Sequence, residues 1–120
     1  MPKISLPHNH GQNIEGALDQ ISEIDNFQIV SDIFRQLCDS NRIRIFWFLC
    51  HCEECVINIS AFVGMSSPAV SHHLKQLKSS GLIVSRRDGK EVYYKAADTE
   101  QIRLLHHMIE KLLEINCPMA

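Results

Sequence analysis

Gly64-Met-Ser-Ser-Pro-Ala-Val-Ser-His-His-Leu-Lys-Gln-Leu-Lys-Ser-Ser-Gly81 is the stretch on which the fold depends. A serine followed by proline is a strong helix start: the serine side chain caps free backbone N–H groups, and proline lacks an N–H where none could be bonded. The helix so opened runs over 67–80 and is stopped by Gly81, a residue able to take the left-handed conformation that ends helices. Val70, Leu74 and Leu77 recur three and four apart and must face inward, which leaves Ser71, His72, Lys75 and Lys78 pointing out. His73 abuts the inward stripe and reads as structural. Just upstream, 56–64 forms a second short helix ending at Gly64. Two short helices across a glycine-containing turn make a helix-turn-helix.

Working outward, Leu82 to Arg87 and Glu91 to Lys95 flank Asp88-Gly89, the pattern of a β-hairpin with a tight turn. The 98–115 segment is an amphipathic helix carrying Ile102, Leu105, Ile109, Leu112 and Leu113, more apolar surface than a small core can cover, so it predicts a homodimer. On the other side, 41–50 is apolar almost all round and belongs at the centre of the core. Before it, 27–38 sets Ile29, Val30, Ile33, Phe34, Leu37 and Cys38 on one broad stripe, separated from the central helix by the capping run Asp39-Ser40-Asn41. The first 26 residues read as a mobile arm with a short helix inside 14–24. The expected class is mainly α with a β-hairpin wing (α+β), a winged helix-turn-helix over 27–117.

A chain of 120 residues with 45% hydrophobic composition is the size of one domain with a real core. No run approaches the roughly 18 apolar residues of a membrane helix, and the opening residues lack the apolar stretch of a signal peptide, so a cytoplasmic protein without a membrane partner is expected. The net charge is −2, yet from Gly64 to Lys95 six bases face two acids, so the remainder carries −6. A basic block in an acidic chain suggests one face that meets an anion. Double-stranded DNA fits. Ser66, Ser67, Ser71 and His72 supply short donors at the start of a helix able to enter the major groove, with Lys75 beside them, while Arg86, Arg87 and Lys90 at the hairpin would contact phosphates or the minor groove.

Five cysteines in a reducing compartment point to metal or redox chemistry rather than a disulfide frame. Cys50-His51-Cys52-Glu53-Glu54-Cys55 places three thiols and an imidazole at the junction between two helices, and Cys52-x-x-Cys55 can chelate one ion. Clustered thiolates select Zn, Cd, Pb, Cu(I) or As(III) over hard cations. Cys38, on an apolar stripe, reads as core. His106, His107 and Glu110 share a helix, but adjacent helical residues point about 100° apart, so one histidine packs and the other is solvated.

Four stretches together resemble the ArsR/SmtB family of metal-responsive winged-helix repressors: Asn41-Arg-Ile-Arg-Ile45, Met65-Ser-Ser-Pro-Ala-Val-Ser-His-His-Leu-Lys-Gln-Leu-Lys78, Gly81-Leu-Ile83 and Arg86-Arg-Asp-Gly-Lys-Glu-Val-Tyr-Tyr94. The resemblance covers 27–117. It implies a dimer formed by the first and last helices, a two-fold related operator, and repression relieved by an inducer. Many members carry Cys-x-Cys at the start of the third helix. Here the first matches Cys55 and the second falls on Ile57, so the resemblance implies that Cys50 and Cys52 supply the missing thiolates, with Cys117, or His8 and His10, completing the set. A second zinc site known in the family would use Asp98, Glu100, Lys111 and Glu114, and a lysine in a histidine's place argues against it. Some members sense reactive sulfur or oxidants instead. A pair of Cys50 or Cys52 with Cys117 is that alternative. No nucleophile, base and orienting group assemble at recognisable spacing, so no enzyme is expected.

Overall fold

The computed structural model describes residues 5–24 and 26–116, with side chains described for 5–20 and 26–115, so Cys117 lies outside the described residues. In chain order the elements are α1 (Glu15–Ile24), α2 (Phe27–Gln36), α3 (Ser40–His51), β1 (Glu54–Cys55), α4 (Val56–Val63), α5 (Ser67–Ser79), β2 (Ile83–Asp88), β3 (Glu91–Ala96) and α6 (Glu100–Asn116). The chain divides into two compact units between Ser31 and Asp32. In the first, the Gly11 N–H donates to Asn9 Oδ1 at 2.9 Å, and the rings of His8 and His10 stack 5.8 Å apart ahead of α1.

The second unit is built on α3. Asp39 caps it, its carboxylate accepting from the Arg42 N–H at 3.0 Å, and that bond holds the carboxyl below its usual range. Ile45, Phe46 and Leu49 of α3 are fully buried among Ile59 and Val63 of α4, Val70, Leu74 and Leu77 of α5, Leu82 and Ile83 at the start of β2, and Ile102, Leu105 and Ile109 of α6. The inward stripe expected on α5 is therefore core, and so is His73. Arg42 donates through Nε to His73 Nδ1 at 3.2 Å and through Nη1 to Gln36 Oε1 at 2.9 Å, tying α3 to α5 and to the end of α2. Burial lowers the His73 pKa, which suits a neutral ring accepting that bond.

Three expectations need correction. The broad stripe on α2 is not buried in the single chain: Ile33 and Leu37 are half-buried against the core, whereas Phe27, Ile29, Val30 and Phe34 are exposed. The core of the second unit is filled by residues of α3 to α6 with the start of β2. Cys38 is exposed rather than core, because α2 ends at Gln36 and the chain leaves the stripe before Cys38; its thiol donates to the Phe34 carbonyl at 3.3 Å. The hairpin is also one strand short of the observed wing. β1 pairs antiparallel with β3, giving the order β1-β3-β2. Two residues are too few for periodicity to reveal a strand.

The Asp88↔Glu91 pair closes the hairpin, so its loop is Gly89-Lys90, with Gly89 at φ +64° as a two-residue turn requires. Gly64 ends α4 at φ +68°, its N–H donating to the Ser60 carbonyl, and so sets the corner of the helix-turn-helix. At the next helix start, Ser66 Oγ accepts from the Ala69 N–H at 3.4 Å. Ser66→Ala is expected to cost about 0.5–1 kcal/mol of stability, the lower part of the range for a lost N-cap because the bond is long. Urea unfolding of the DNA-free protein at fixed protomer concentration measures it. No helix among the described residues is long and apolar enough to cross a membrane.

Candidate DNA-binding face and metal centre

The outward face of α5 is as its periodicity predicts. Ser71, His72, Lys75 and Lys78 are exposed on the side opposite Val70, Leu74 and Leu77. Helix dipole and free N–H groups at the α5 start favour an approaching phosphate. Ser66 and Ser67 sit there, but each also has an internal bond: Ser66 to the cap, and Ser67 Oγ to Ser60 Oγ of α4 at 3.3 Å. At the wing, Arg87 and Lys90 are exposed. Arg86 has intramolecular partners. Its guanidinium donates to both carboxylate oxygens of Glu53 at 2.7–3.0 Å and lies 4.9 Å from the centre of the Tyr93 ring. The bidentate pair holds the Glu53 carboxyl below its usual range and raises the Arg86 pKa.

The cysteine segment connects the core helix to the DNA-facing elements. Cys50 is half-buried on α3; Cys52 follows the end of that helix in extended backbone, its thiol donating to the Phe48 carbonyl at 3.4 Å. Cys55 pairs with Tyr93 in the wing sheet and is the N-cap residue of α4, with no side-chain capping bond. Cys38, Cys50, Cys52 and Cys55 are all free thiols. Burial pushes the Cys50 thiol up to about 12, with the Glu110 charge adding to it, and burial followed by the Glu54 charge raises Cys52. A soft ion that binds either thiol displaces its proton. Cys50, His51 and Cys52 line a cleft of about 370 Å³ that Asp98, Ile102 and His106 close from the other side.

Among the described residues, the set of three or more ligand-type side chains whose donor atoms gather within 4.8 Å is not the thiols but His51, His106 and Glu110. His106 Nε2 lies 3.0 Å from Glu110 Oε1 and 3.1 Å from His51 Nε2, and His51 Nε2 lies 3.2 Å from the same carboxylate oxygen. Trp47 Nε1 donates to that oxygen at 3.1 Å. These bonds, His106's first, hold the Glu110 carboxyl below its usual range. His106 is half-buried and His107 exposed, the division expected of adjacent helical histidines. Only the His106–Glu110 spacing, four apart on one helix, was visible in the sequence; His51 is brought in by tertiary packing from 55 residues away. Of the residues at which the resemblance implies a second zinc site, Asp98 pairs with Arg103 at 2.6 Å and Lys111 with Glu114 at 3.4 Å.

Residues 39–85 match the family described as bacterial regulatory protein, arsR family. The chain is 32% identical to a transcriptional repressor SmtB homolog of Synechocystis, over 95% of this chain and 86% of that protein. It is 37% identical to the cadmium resistance transcriptional regulatory protein CadC of Listeria innocua, over 71% of each. Among solved structures, the homodimeric winged helix-turn-helix DNA-binding domain of a Mycobacterium bovis protein superimposes with a TM-score of 0.69 at 25% identity, covering 92% of this chain and 94% of that one.

Proposed function

Since the chain belongs to the arsR family of bacterial regulatory proteins, we propose that it is a homodimeric, cytoplasmic repressor released from double-stranded operator DNA when a thiophilic metal or metalloid ion takes its cysteines. Cys50, Cys52 and Cys55 are the ligands in this reading, with Cys117 joining them, and Zn, Cd, Pb, Cu(I) and As(III) are the candidate ions. Ser71 and His72, with Ser66 and Ser67 at the helix start, meet the major groove, Lys75 beside them holds a phosphate at its edge, and Arg87 and Lys90 hold phosphate at the wing. Arg86 joins them at the wing by exchanging the Glu53 carboxylate for a phosphate. The exposed apolar residues of α2 and α6, among them Phe27, Ile29, Leu112 and Leu113, are the surfaces that pair in the dimer.

The observation that carries the proposal is the double attachment of the cysteine segment. Cys55 belongs at once to the wing sheet, through its pairing with Tyr93, and to the start of the first helix of the helix-turn-helix, whose N-cap position it occupies. Glu53, next to Cys52, grips Arg86 of β2. Drawing the thiols of Cys52 and Cys55 around one ion therefore moves both DNA-facing elements together. A coupling of about 1–3 kcal/mol, five- to 150-fold in affinity, is the usual size of such an effect.

Fluorescence anisotropy of the reduced protein on DNA from its own upstream region, titrated without oxygen with each ion and separately with a persulfide donor, tests it. Release by one or more of the ions, lost in Cys52→Ser/Cys55→Ser, is the expected result. Release by the persulfide donor alone would replace the metal reading with a thiol switch.

A further inference from the structure

We propose that His51, His106 and Glu110 form a second cation site, whose donors are not the thiols and which suits a borderline divalent ion of the zinc class. The three donor atoms make a nearly equilateral triangle with edges of 3.0, 3.1 and 3.2 Å. An ion bound at about 2.0–2.1 Å in tetrahedral geometry has donors roughly 3.3–3.4 Å apart, so the triangle needs only a slight opening to become one face of such a site. Two imidazoles and one carboxylate are a common zinc donor set, and the fourth position would be left to water. All three side chains reach solvent, His106 least, so an ion can enter and keep that water.

Without an ion the cluster is crowded. The His51 and His106 rings and the Trp47 indole all approach one oxygen, Glu110 Oε1, where a carboxylate oxygen has two lone pairs. An ion in place of the two imidazole protons removes that crowding. The Trp47 N–H then serves as the outer partner that orients the carboxylate. Such an ion would fasten the last residue of α3, immediately before Cys52, to the middle of α6. It would thus join the helix bearing Leu104, Leu112 and Leu113 on its exposed face to the start of the cysteine segment.

The test uses the full chain with Cys52→Ser/Cys55→Ser, so that the cysteine proposal and this one fail separately. Zn²⁺ retained after equilibrium dialysis is counted per protomer, and Co²⁺ is titrated against the fluorescence of Trp47, the sole tryptophan, whose ring centre lies 4.5 Å from that of His51. One zinc per protomer and saturable quenching by Co²⁺ are expected, with the zinc lost and the Co²⁺ affinity weakened at least about tenfold when His106→Gln is added. His51→Gln, at an exposed helix end, should reproduce the loss, and circular dichroism checks that each variant is folded. No zinc retained by the serine variant, or a zinc content and quenching that neither histidine substitution changes, would overturn the site. The DNA-release titration reports on the thiols whatever the outcome here.

Discussion

Phe46→Ala is expected to lower the free energy of unfolding by roughly 3–5 kcal/mol, as deleting a fully buried aromatic side chain does. Phe46 has no solvent exposure and sits on α3 in the cluster that joins α3 to α4, α5 and α6. The loss combines the transfer of a large apolar group with a cavity that helices on several sides cannot all move to fill. Against a typical stability of about 5–15 kcal/mol, such a loss leaves a marginal fold. Phe62 supplies the contrast. Its ring stacks on Phe48 at 4.0 Å and lies 6.0 Å from the Arg44 guanidinium, yet it stays exposed, so Phe62→Ala should cost only about 1 kcal/mol. Urea midpoints at one fixed protomer concentration compare the two, since dimerisation links stability to concentration. Equal shifts would mean that the core is not centred on α3.

Lys75→Ala is expected to weaken DNA binding by about 60-fold near 0.1 M salt, uniformly across sequences. In a two-fold symmetric complex each substitution removes two phosphate contacts, and each contact contributes about 0.9 to the slope of log affinity against log salt. The slope should therefore become shallower by about 1.8, which near 0.1 M salt is close to two decades of affinity. Ser71→Ala should behave differently, with little change of slope but lost discrimination between operator and scrambled DNA, because a hydroxyl at a base edge reads sequence and releases no counterion. Anisotropy over a salt series separates the two. An unchanged slope in Lys75→Ala would remove that lysine from the interface, and by two-fold symmetry would do so on both half-sites.

Residue pattern alone located the α5 start at Ser66-Ser67-Pro68, the inward row Val70, Leu74 and Leu77, the corner at Gly64 and the α3 core, because capping chemistry and helical period act over a few residues. The hairpin turn was displaced by one residue, since whether Asp88 or Lys90 lies in the loop depends on the strand register. Cys38 and the α2 stripe were placed inside although the single chain leaves them exposed: apolar spacing marks a face that seeks cover, not what covers it. The basic character of the 64–95 block was legible, but the bidentate Glu53–Arg86 pair, 33 positions apart, was not.

What the sequence determined by itself is therefore local: where helices begin and end, which rows face inward, that one stretch is basic and that three thiols crowd one helix junction. Those properties follow from side-chain chemistry within a turn or two of the chain. Tertiary structure decided the rest. It gave Cys55 a place in the wing sheet through β3, and it brought His51 from the end of α3 against His106 and Glu110 on α6. Both depend on two distant segments packing against one hydrophobic core, and the spacing of residues along either segment alone carries no record of that meeting.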